Sequence, residues 1–325
     1  RSIDEVYPQY FPKQNTELEA YQQIEKDLLD AVLYAPDNTP GNKTLFTKSV
    51  ARTLLAKIYA EKPLRDYTKV IQYCDEVKAD GFDLVDDFSD LFGMNAAGTD
   101  AKMRNTKESI LEAQFTSGAG NWCTWMFGRD LVNWNNNFTW AKWVTPSRDL
   151  ISAFKQEGDE VRFKESIVYY DCNWSNYYPS DNYPFMYKCR SANSSIIKYR
   201  YADVLLLKAE ALIMQDTPDL EGAADIIDKV RDRAKLGALP TSVRSNKNAM
   251  LNALLKERRL ELAFEGQRWF DLVRLDKVEE VMNAVYAKDS GRKAQIYTFD
   301  KNSYRLPIPQ SVIDANDKIH QNPGY

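Results

Sequence analysis

Two distant stretches of the chain follow one plan, and that plan restricts the fold more than any other feature. From about Thr47 to Glu61 the apolar residues Val50, Leu54, Leu55 and Ile58 recur at helical spacing and Pro63 closes the run. A second periodic run, from Asp66 to about Ala79, places Val70, Ile71, Cys74 and Val77 inside. From Tyr201 the plan returns: Val204, Leu205, Ala209, Leu212 and Ile213, a break at Thr217-Pro218, then Ala223, Ile226, Ile227 and Val230 towards Lys235, with Gly237 as the stop. An apolar stripe with a period near 3.6 marks a helix with one buried face, and a glycine just past the last turn marks its end. Two helices of similar length around a proline-containing turn make a hairpin. Two such hairpins resemble tetratricopeptide-type units of about 34 residues. Ala51, Ala56, Ala60, Ala209 and Ala211 are small enough to let neighbouring helices approach closely.

Other blocks extend the pattern. Leu18, Tyr21, Ile24, Leu28, Ala31 and Val32 predict a helix ending before Pro36, and a third unit runs from about Lys247 to Phe264, breaks at Gly266 and resumes at Trp269-Phe270-Asp271-Leu272-Val273. Residues 95–195 lack this period and are rich in Asn, Ser, Gly and aromatics; they predict loops, short helices and a short strand pair near Ser109–Thr116. Long loops within a compact domain usually carry function. The expected fold class is all-α: tetratricopeptide-like helical hairpins with a long irregular, aromatic-rich excursion. The expected organisation is one domain over 1–325, with a hairpin region at 1–94, the excursion at 95–195, and a hairpin, signature helix and tail at 196–325. The tail, 297–325, is expected to wrap the surface in extended form.

Charge and chemistry-bearing residues exclude several function classes. Lys plus Arg total 43 against Asp plus Glu 47, a net charge of −4, which disfavours binding that relies on neutralising many phosphates. The single histidine, His320, excludes two-histidine metal centres and reads as an exposed tail residue. Cys74, Cys123, Cys172 and Cys189 show no C-x-x-C spacing, so neither a zinc ribbon nor a dithiol redox motif is present. Gly118-Ala119-Gly120 lacks the third glycine of a dinucleotide fingerprint. Asp300-Lys301-Asn302-Ser303-Tyr304-Arg305 lacks the glycine of a calcium loop and reads as a turn. Asp86, Asp87 and Asp90 read as a charge cluster at a helix N-terminus, with a calcium ion at a surface loop as the less favoured reading. No cofactor and no metal site is expected. No apolar run approaches the ~18 residues that span a bilayer. The opening at Arg1, without Met, apolar signal core or lipobox, reads as a chain from which a targeting segment or N-terminal part is missing.

The excursion is unusual for its rings. Trp122, Trp125, Phe127, Trp134, Phe138, Trp140 and Trp143 make 7 aromatics in 23 residues, and 169–187 holds 8 in 19, against 12% for the chain. Between them lie Asn133, Asn135, Asn136, Asn137, Arg129, Asp130 and Asp181. A ring face suits the C–H face of a pyranose, and amides, carboxylates and guanidinium groups suit its hydroxyls. Roughly two in three of these rings are expected to fill a satellite core instead. Trp122, Trp125, Trp134 and Trp140 are the candidates for stacking on a sugar, joined by Tyr177 and Tyr178. Arg129, Asn136 and Asp181 are the candidates for hydroxyl contacts.

Glu257, Glu261 and Glu265 lie at i, i+4 and i+8, so three like charges share one helix face. Arg258, Arg259 and Arg268 are the expected counter-charges, with Arg231 and Arg233 as further candidates. Because the stripe of Leu251, Leu255 and Leu262 passes through Arg258, that arginine is expected to be partly buried in an ion-pair network. A catalytic carboxylate pair is the less favoured reading of the same residues.

The stretch Glu257-Arg258-Arg259-Leu260-Glu261-Leu262-Ala263-Phe264-Glu265-Gly266-Gln267-Arg268-Trp269-Phe270-Asp271-Leu272-Val273-Arg274 closely resembles the hallmark of the SusD/RagB family, the surface-exposed nutrient-binding lipoproteins of Bacteroidetes. Further resemblance lies in Ile197-Lys198-Tyr199-Arg200-Tyr201-Ala202-Asp203 with the helix after it and in Thr145-Pro146-Ser147-Arg148-Asp149-Leu150 followed by Gly158-Asp159 and Arg162. Leu306-Pro307-Ile308-Pro309-Gln310 with Gln321-Asn322-Pro323-Gly324-Tyr325 completes it. The resemblance implies a non-catalytic, glycan-binding outer-membrane lipoprotein, surface-exposed, that acts as a lid over a SusC-like TonB-dependent transporter. Its membrane contact would be an N-terminal lipid anchor not present in this chain. The alternatives are a peptide-binding RagB-like uptake protein and a helical glycoside hydrolase, which would need two carboxylates about 5–9.5 Å apart in a cleft.

Overall fold

The computed structural model describes residues 11–116, 120, 131, 145–172, 178–288 and 298–325. Its frame is a stack of helices. Helix α1 (Glu17–Tyr34) packs on α2 (Lys48–Ala60), α2 pairs with α3 (Tyr67–Ala79), and α3 lies against α7 (Tyr201–Met214), which pairs with α8 (Leu220–Arg233). Helix α10 (Lys247–Glu261) packs on both α7 and α8. The starts are written locally. Thr16 and Glu19 form a capping box on α1, Asp66 accepts from Lys69 N on α3, and Asp219 from Gly222 N on α8.

Helix α7 is the axis of the core. Tyr201–Leu207, Ala209 and Glu210–Ile213 are all buried, which explains why its apolar run is nearly continuous instead of one-sided. The small residues predicted to allow close approach do so: Ala51, Ala56, Ala60, Ala209 and Ala211 are each 0% exposed. Ala209→Leu should therefore overpack the α7 seam and destabilise by about 1–3 kcal/mol, read as a lower urea midpoint at unchanged slope. Helix α1 departs from expectation. Leu28 is buried, but Leu18 and Ile24 are more than 40% exposed, because α2 covers only one side of this outermost helix.

The excursion is more ordered than its lack of period suggests. After the one-turn α4 (Ser89–Phe92) come β1 (Ser109–Ala113), α5 (Arg148–Glu157), α6 (Glu160–Ser166), β2 (Ile167–Tyr170), β3 (Tyr183–Met186) and β4 (Ile196–Arg200). Ser147 caps α5, and Gly158, at φ 70°, ends it in the left-handed region. Asp159 then caps α6. The expected local strand pair near Ser109–Thr116 is not formed. Instead β1 pairs antiparallel with β4, Ser109 opposite Arg200 and Ala113 opposite Ile196, because β4 leads directly into α7 beside α3. Strands β2 and β3 form a second antiparallel ribbon, Ile167 opposite Met186.

Helix α9 (Thr241–Arg244) precedes α10. Helix α11 (Arg268–Arg274) follows Gly266, at φ 78°, and α12 (Val278–Lys288) follows it. The expected helix to Phe264 stops at Glu261, and Phe264 itself takes φ 66°, held in place by the cluster of Leu150, Ile151, Phe154, Leu260 and Ala263. The tail is not simply extended. Asp300 caps a 3₁₀ turn at Lys301–Tyr304, and Gln310–Ala315 forms α13. It closes back on the start of the described chain: Asn316 donates to Pro12 O at 3.0 Å and Arg305 pairs with Glu17 at 2.5 Å. His320 is exposed. Asp87 accepts from Ser89 N at the α4 N-terminus, Lys102 pairs with both Asp87 and Asp90, and Lys107 pairs with Asp86 at 3.3 Å. No helix among the described residues is long and apolar enough to cross a membrane.

Candidate ligand-binding region

The excursion is pinned to the frame through the β2–β3 ribbon. Leu131, fully buried, donates its N–H to Arg190 O at 2.8 Å and accepts the Tyr170 hydroxyl on its carbonyl. Leu131, Cys172, Tyr183 and Phe185 form a small core, with the Tyr183 and Phe185 ring centroids 4.9 Å apart. Tyr183 and Phe185 are thus structural, as sequence composition predicts for most rings of this region. Tyr178 is half-buried. Its ring meets Tyr183 edge-on at 5.7 Å, its hydroxyl donates to Pro146 O at 2.7 Å, and the Arg148 guanidinium lies over it at 4.8 Å. Its hydroxyl is therefore already engaged within the protein. Asp181 is exposed at the turn before β3. The remaining predicted contacts, Trp122, Trp125, Trp134, Trp140, Arg129, Asn136 and Tyr177, lie outside the described residues.

Beneath this ribbon the signature helix carries a buried ionic lattice. Glu261 is 0% exposed and lies at its centre. Its Oε1 accepts from Arg200 and Arg233 and its Oε2 from Arg162 at 3.1 Å. Glu257 takes Arg162 at 2.5 Å and Arg231 at 3.3 Å, and Glu265 takes Lys188 at 2.6 Å and Arg200 at 2.7 Å. Glu108, from the turn before β1, bridges Arg200 and Arg233. Burial alone would push the Glu261 carboxyl up. Arg233, Arg200, Arg162 and Lys188 outweigh it and hold the group well below the usual carboxylate range. Both oxygens are occupied by cations away from solvent, which is the arrangement of a structural lattice and not of an acid–base pair.

The expected counter-charges are corrected in part. Arg231 and Arg233 take the roles assigned to them, but Arg258, Arg259 and Arg268 do not face the glutamates. Successive residues on a helix point about 100° apart, so these three are turned to other neighbours. Arg258 is buried more completely than predicted and pairs with Asp203 and Asp271, each at 2.8 Å. Arg259 pairs with Asp149 at 2.7 Å, and Arg268 donates to Leu255 O at 2.9 Å. Arg162, Arg200 and Lys188 replace them. Their signal in the sequence was weak but present: Arg200 stands immediately before the apolar run of α7, where a lone charge must find a partner.

Stacked helical hairpins, two short antiparallel ribbons and a buried Arg–Glu lattice define the class of scaffold. The chain is similar to proteins of the SusD-like family. The SusD family model matches residues 181–325. A SusD-like protein of Formosa agariphila is 42% identical over 99 residues, 29% of this chain and 19% of that relative, so the match spans about a fifth of the relative's length. The fold matches a SusD-like protein of Bacteroides fragilis with a TM-score of 0.73 at 23% identity, covering 96% of this chain and 72% of that one. It also matches surface glycan-binding protein A from Bacteroides thetaiotaomicron in complex with laminarihexaose, with a TM-score of 0.73 at 20% identity, covering 95% and 72%.

Proposed function

We propose that the chain binds an oligosaccharide or polysaccharide without altering it, at the bacterial cell surface, and hands it to a TonB-dependent outer-membrane transporter. The observation that carries this reading is the density of rings and amides in the excursion, 7 aromatics between Asn121 and Trp143 set among Asn133, Asn135, Asn136 and Asn137. Ring faces and amides together match the two kinds of surface on a sugar. Support comes from the fold, which is shared with a surface glycan-binding protein complexed with laminarihexaose. Trp122, Trp125, Trp134 and Trp140 would stack on sugar rings, with Tyr177 and Tyr178 beside them, and Arg129, Asn136 and Asp181 would take hydroxyls. A single site of this type should have a Kd of about µM to mM, raised in effect by many contact points along one polymer.

Titration of a panel of purified glycans against the wild type and a Trp122→Ala/Trp134→Ala double variant tests this. Loss of two stacked rings should weaken binding by at least about tenfold, at unchanged melting temperature. Equal binding by the double variant would remove those rings from the site. Saturable binding of peptides, with none of glycans, would move the chain to the peptide-uptake reading.

A further inference from the structure

Arg148, whose guanidinium lies over the Tyr178 ring, also lines a cleft of ≈ 680 Å³ with its own chemistry. One wall is α5, which presents Arg148, Asp149, Ser152, Ala153 and Gln156. The opposite wall is α12, which presents Glu280, Val281, Ala284, Val285 and Lys288. Both sets fall at i, i+1, i+4, i+5 and i+8, so each helix turns one continuous face inward. Helix α10 adds Lys256 and Arg259. The volume is that of an ordinary small-molecule site.

Its charge balance is uneven. Arg148, Lys256, Arg259 and Lys288 line the cleft, against Asp149 and Glu280. Asp149 is shared by Arg259 at 2.7 Å and Lys288 at 3.9 Å, Lys256 shares Glu157 with Arg231, and Glu280 is drawn away to Lys277 at 2.6 Å. Just behind Arg259, Arg268 is half-buried and donates to a backbone carbonyl, with no carboxylate among the described residues in ion-pair contact. Burial, and next the neighbouring Arg259 charge, bring Arg268 down to about 10. Arg148 aside, Arg259, Lys288 and Arg268 have only Asp149 for a carboxylate among the described residues, inside an otherwise acidic chain.

We propose that this cleft binds an acidic sugar, one bearing a carboxylate or a sulfate ester, so that the glycan taken by this chain is anionic; the inference rests on the glycan-binding reading. Arg148, Arg259, Lys256 and Lys288 supply fixed and mobile cations for the anion, with Arg suited to a bidentate oxyanion. Ser152 and Gln156, one turn apart on α5, reach sugar hydroxyls. Ala153, Ala284, Val281 and Val285 make a low apolar floor for the C–H face of a ring. An acidic peptide fits less well. Both walls are helices whose backbone groups are already paired, so an extended strand would find no partner for its own amides. Among the described residues the lining holds no aromatic ring on which a nucleic-acid base would stack.

The test is calorimetric titration of the chain with trigalacturonate, a κ-carrageenan tetrasaccharide, neutral laminarihexaose and hexaglutamate. The variants are Lys256→Gln/Lys288→Gln, both on exposed side chains, and separately Arg259→Gln. Trigalacturonate or the carrageenan fragment should bind at least about tenfold more tightly than laminarihexaose, and weaken as salt rises from about 50 to about 500 mM. Which of the two binds distinguishes carboxylate from sulfate. The lysine double variant should lose about tenfold towards the acidic sugar while its melting temperature and its affinity for laminarihexaose stay unchanged. Arg259→Gln should lose at least as much. Acidic-sugar binding unaffected by either variant, or no preference over laminarihexaose, overturns the cleft but leaves the glycan reading standing. Hexaglutamate binding as tightly as the sugars assigns the cleft to acidic peptides and also overturns it. Absence of binding by every glycan overturns both readings.

Discussion

Glu261→Gln is expected to destabilise the protein by about 3–5 kcal/mol or more, because it removes the charge on which three buried guanidinium groups converge. Arg200, Arg233 and Arg162 all reach this carboxylate, and Glu261 has no exposed surface. The amide keeps the shape of the carboxylate but offers one acceptor and an NH₂ that points donors at donors. A domain's whole stability is about 5–15 kcal/mol, so this one substitution should take away a large part of it. Urea denaturation followed by circular dichroism measures the loss directly. Glu280→Gln is the control: Glu280 is 66% exposed in its pair with Lys277 and should shift stability by less than about 1 kcal/mol. A Glu261→Gln protein melting within a degree or two of the wild type would mean that the lattice is not what holds β4, α6, α8 and α10 together.

The same lattice sets an acid limit. Glu261, Glu265, Asp203 and Asp271 are each pushed up by burial but pulled further down by the cations around them, below the ordinary 4.5 and 3.8. A folded-state value below the unfolded one gives stability that is complete above the unfolded value and drains away as pH falls through the folded one. Asp159 and Glu257 run the other way, raised by burial despite Arg162, and offset part of that loss. With the deeper shifts on the depressed side, stability should hold at neutral pH and fall below about pH 4. In Glu261→Gln that acid slope should be shallower.

What the sequence conveyed depended on the range of the signal. Helices α2, α3, α7 and α8 were legible to within about two residues, because a repeating apolar face is written inside one helix. Gly266 marked the break before α11 for the same local reason. Helix α5 was readable in principle: Ser147 before it, Leu150, Ile151 and Phe154 within it and Gly158 after it are complete start, face and stop signals. They were outweighed by the irregular composition around them. The β1–β4 pairing and the true partners of Glu261 were not legible. Ser109 meets Arg200, and Arg162 meets Glu261, only because intervening helices fold back, and no periodicity encodes that. Of the candidate site, the sequence exposed the dense rings but not the division of labour among them. Tyr183 and Phe185 look like Tyr178 in composition, yet the first two are sealed in a small core while Tyr178 sits at its edge beneath Arg148.

Arg258 offers the second large effect, and a sharper test of what buried ion pairs do here. Its guanidinium spans two carboxylates from different helices, Asp203 on α7 through Nη2 and Asp271 on α11 through Nε and Nη2. Arg258→Met should cost about 3–5 kcal/mol, the usual result of stranding buried partners. Two rescues temper it, since Asp203 keeps Lys57 at 2.7 Å and Asp271 keeps Arg274 at 2.8 Å. The loss should therefore fall at the lower end of that range and below that of Glu261→Gln. Arg258→Lys retains the charge but not the planar fork, and an ammonium cannot hold both carboxylates at once, so it should still lose about 1–3 kcal/mol. If charge alone mattered, Lys would restore the wild-type midpoint, and the fork would be irrelevant. In Arg258→Met/Asp271→Asn the second change removes one stranded anion, and the double variant should lose about 1–3 kcal/mol less than the two singles added together. Strict additivity would show that Arg258 and Asp271 do not share a network, and that α11 is fixed to the frame by its apolar side, Leu272 foremost, instead of by this clamp.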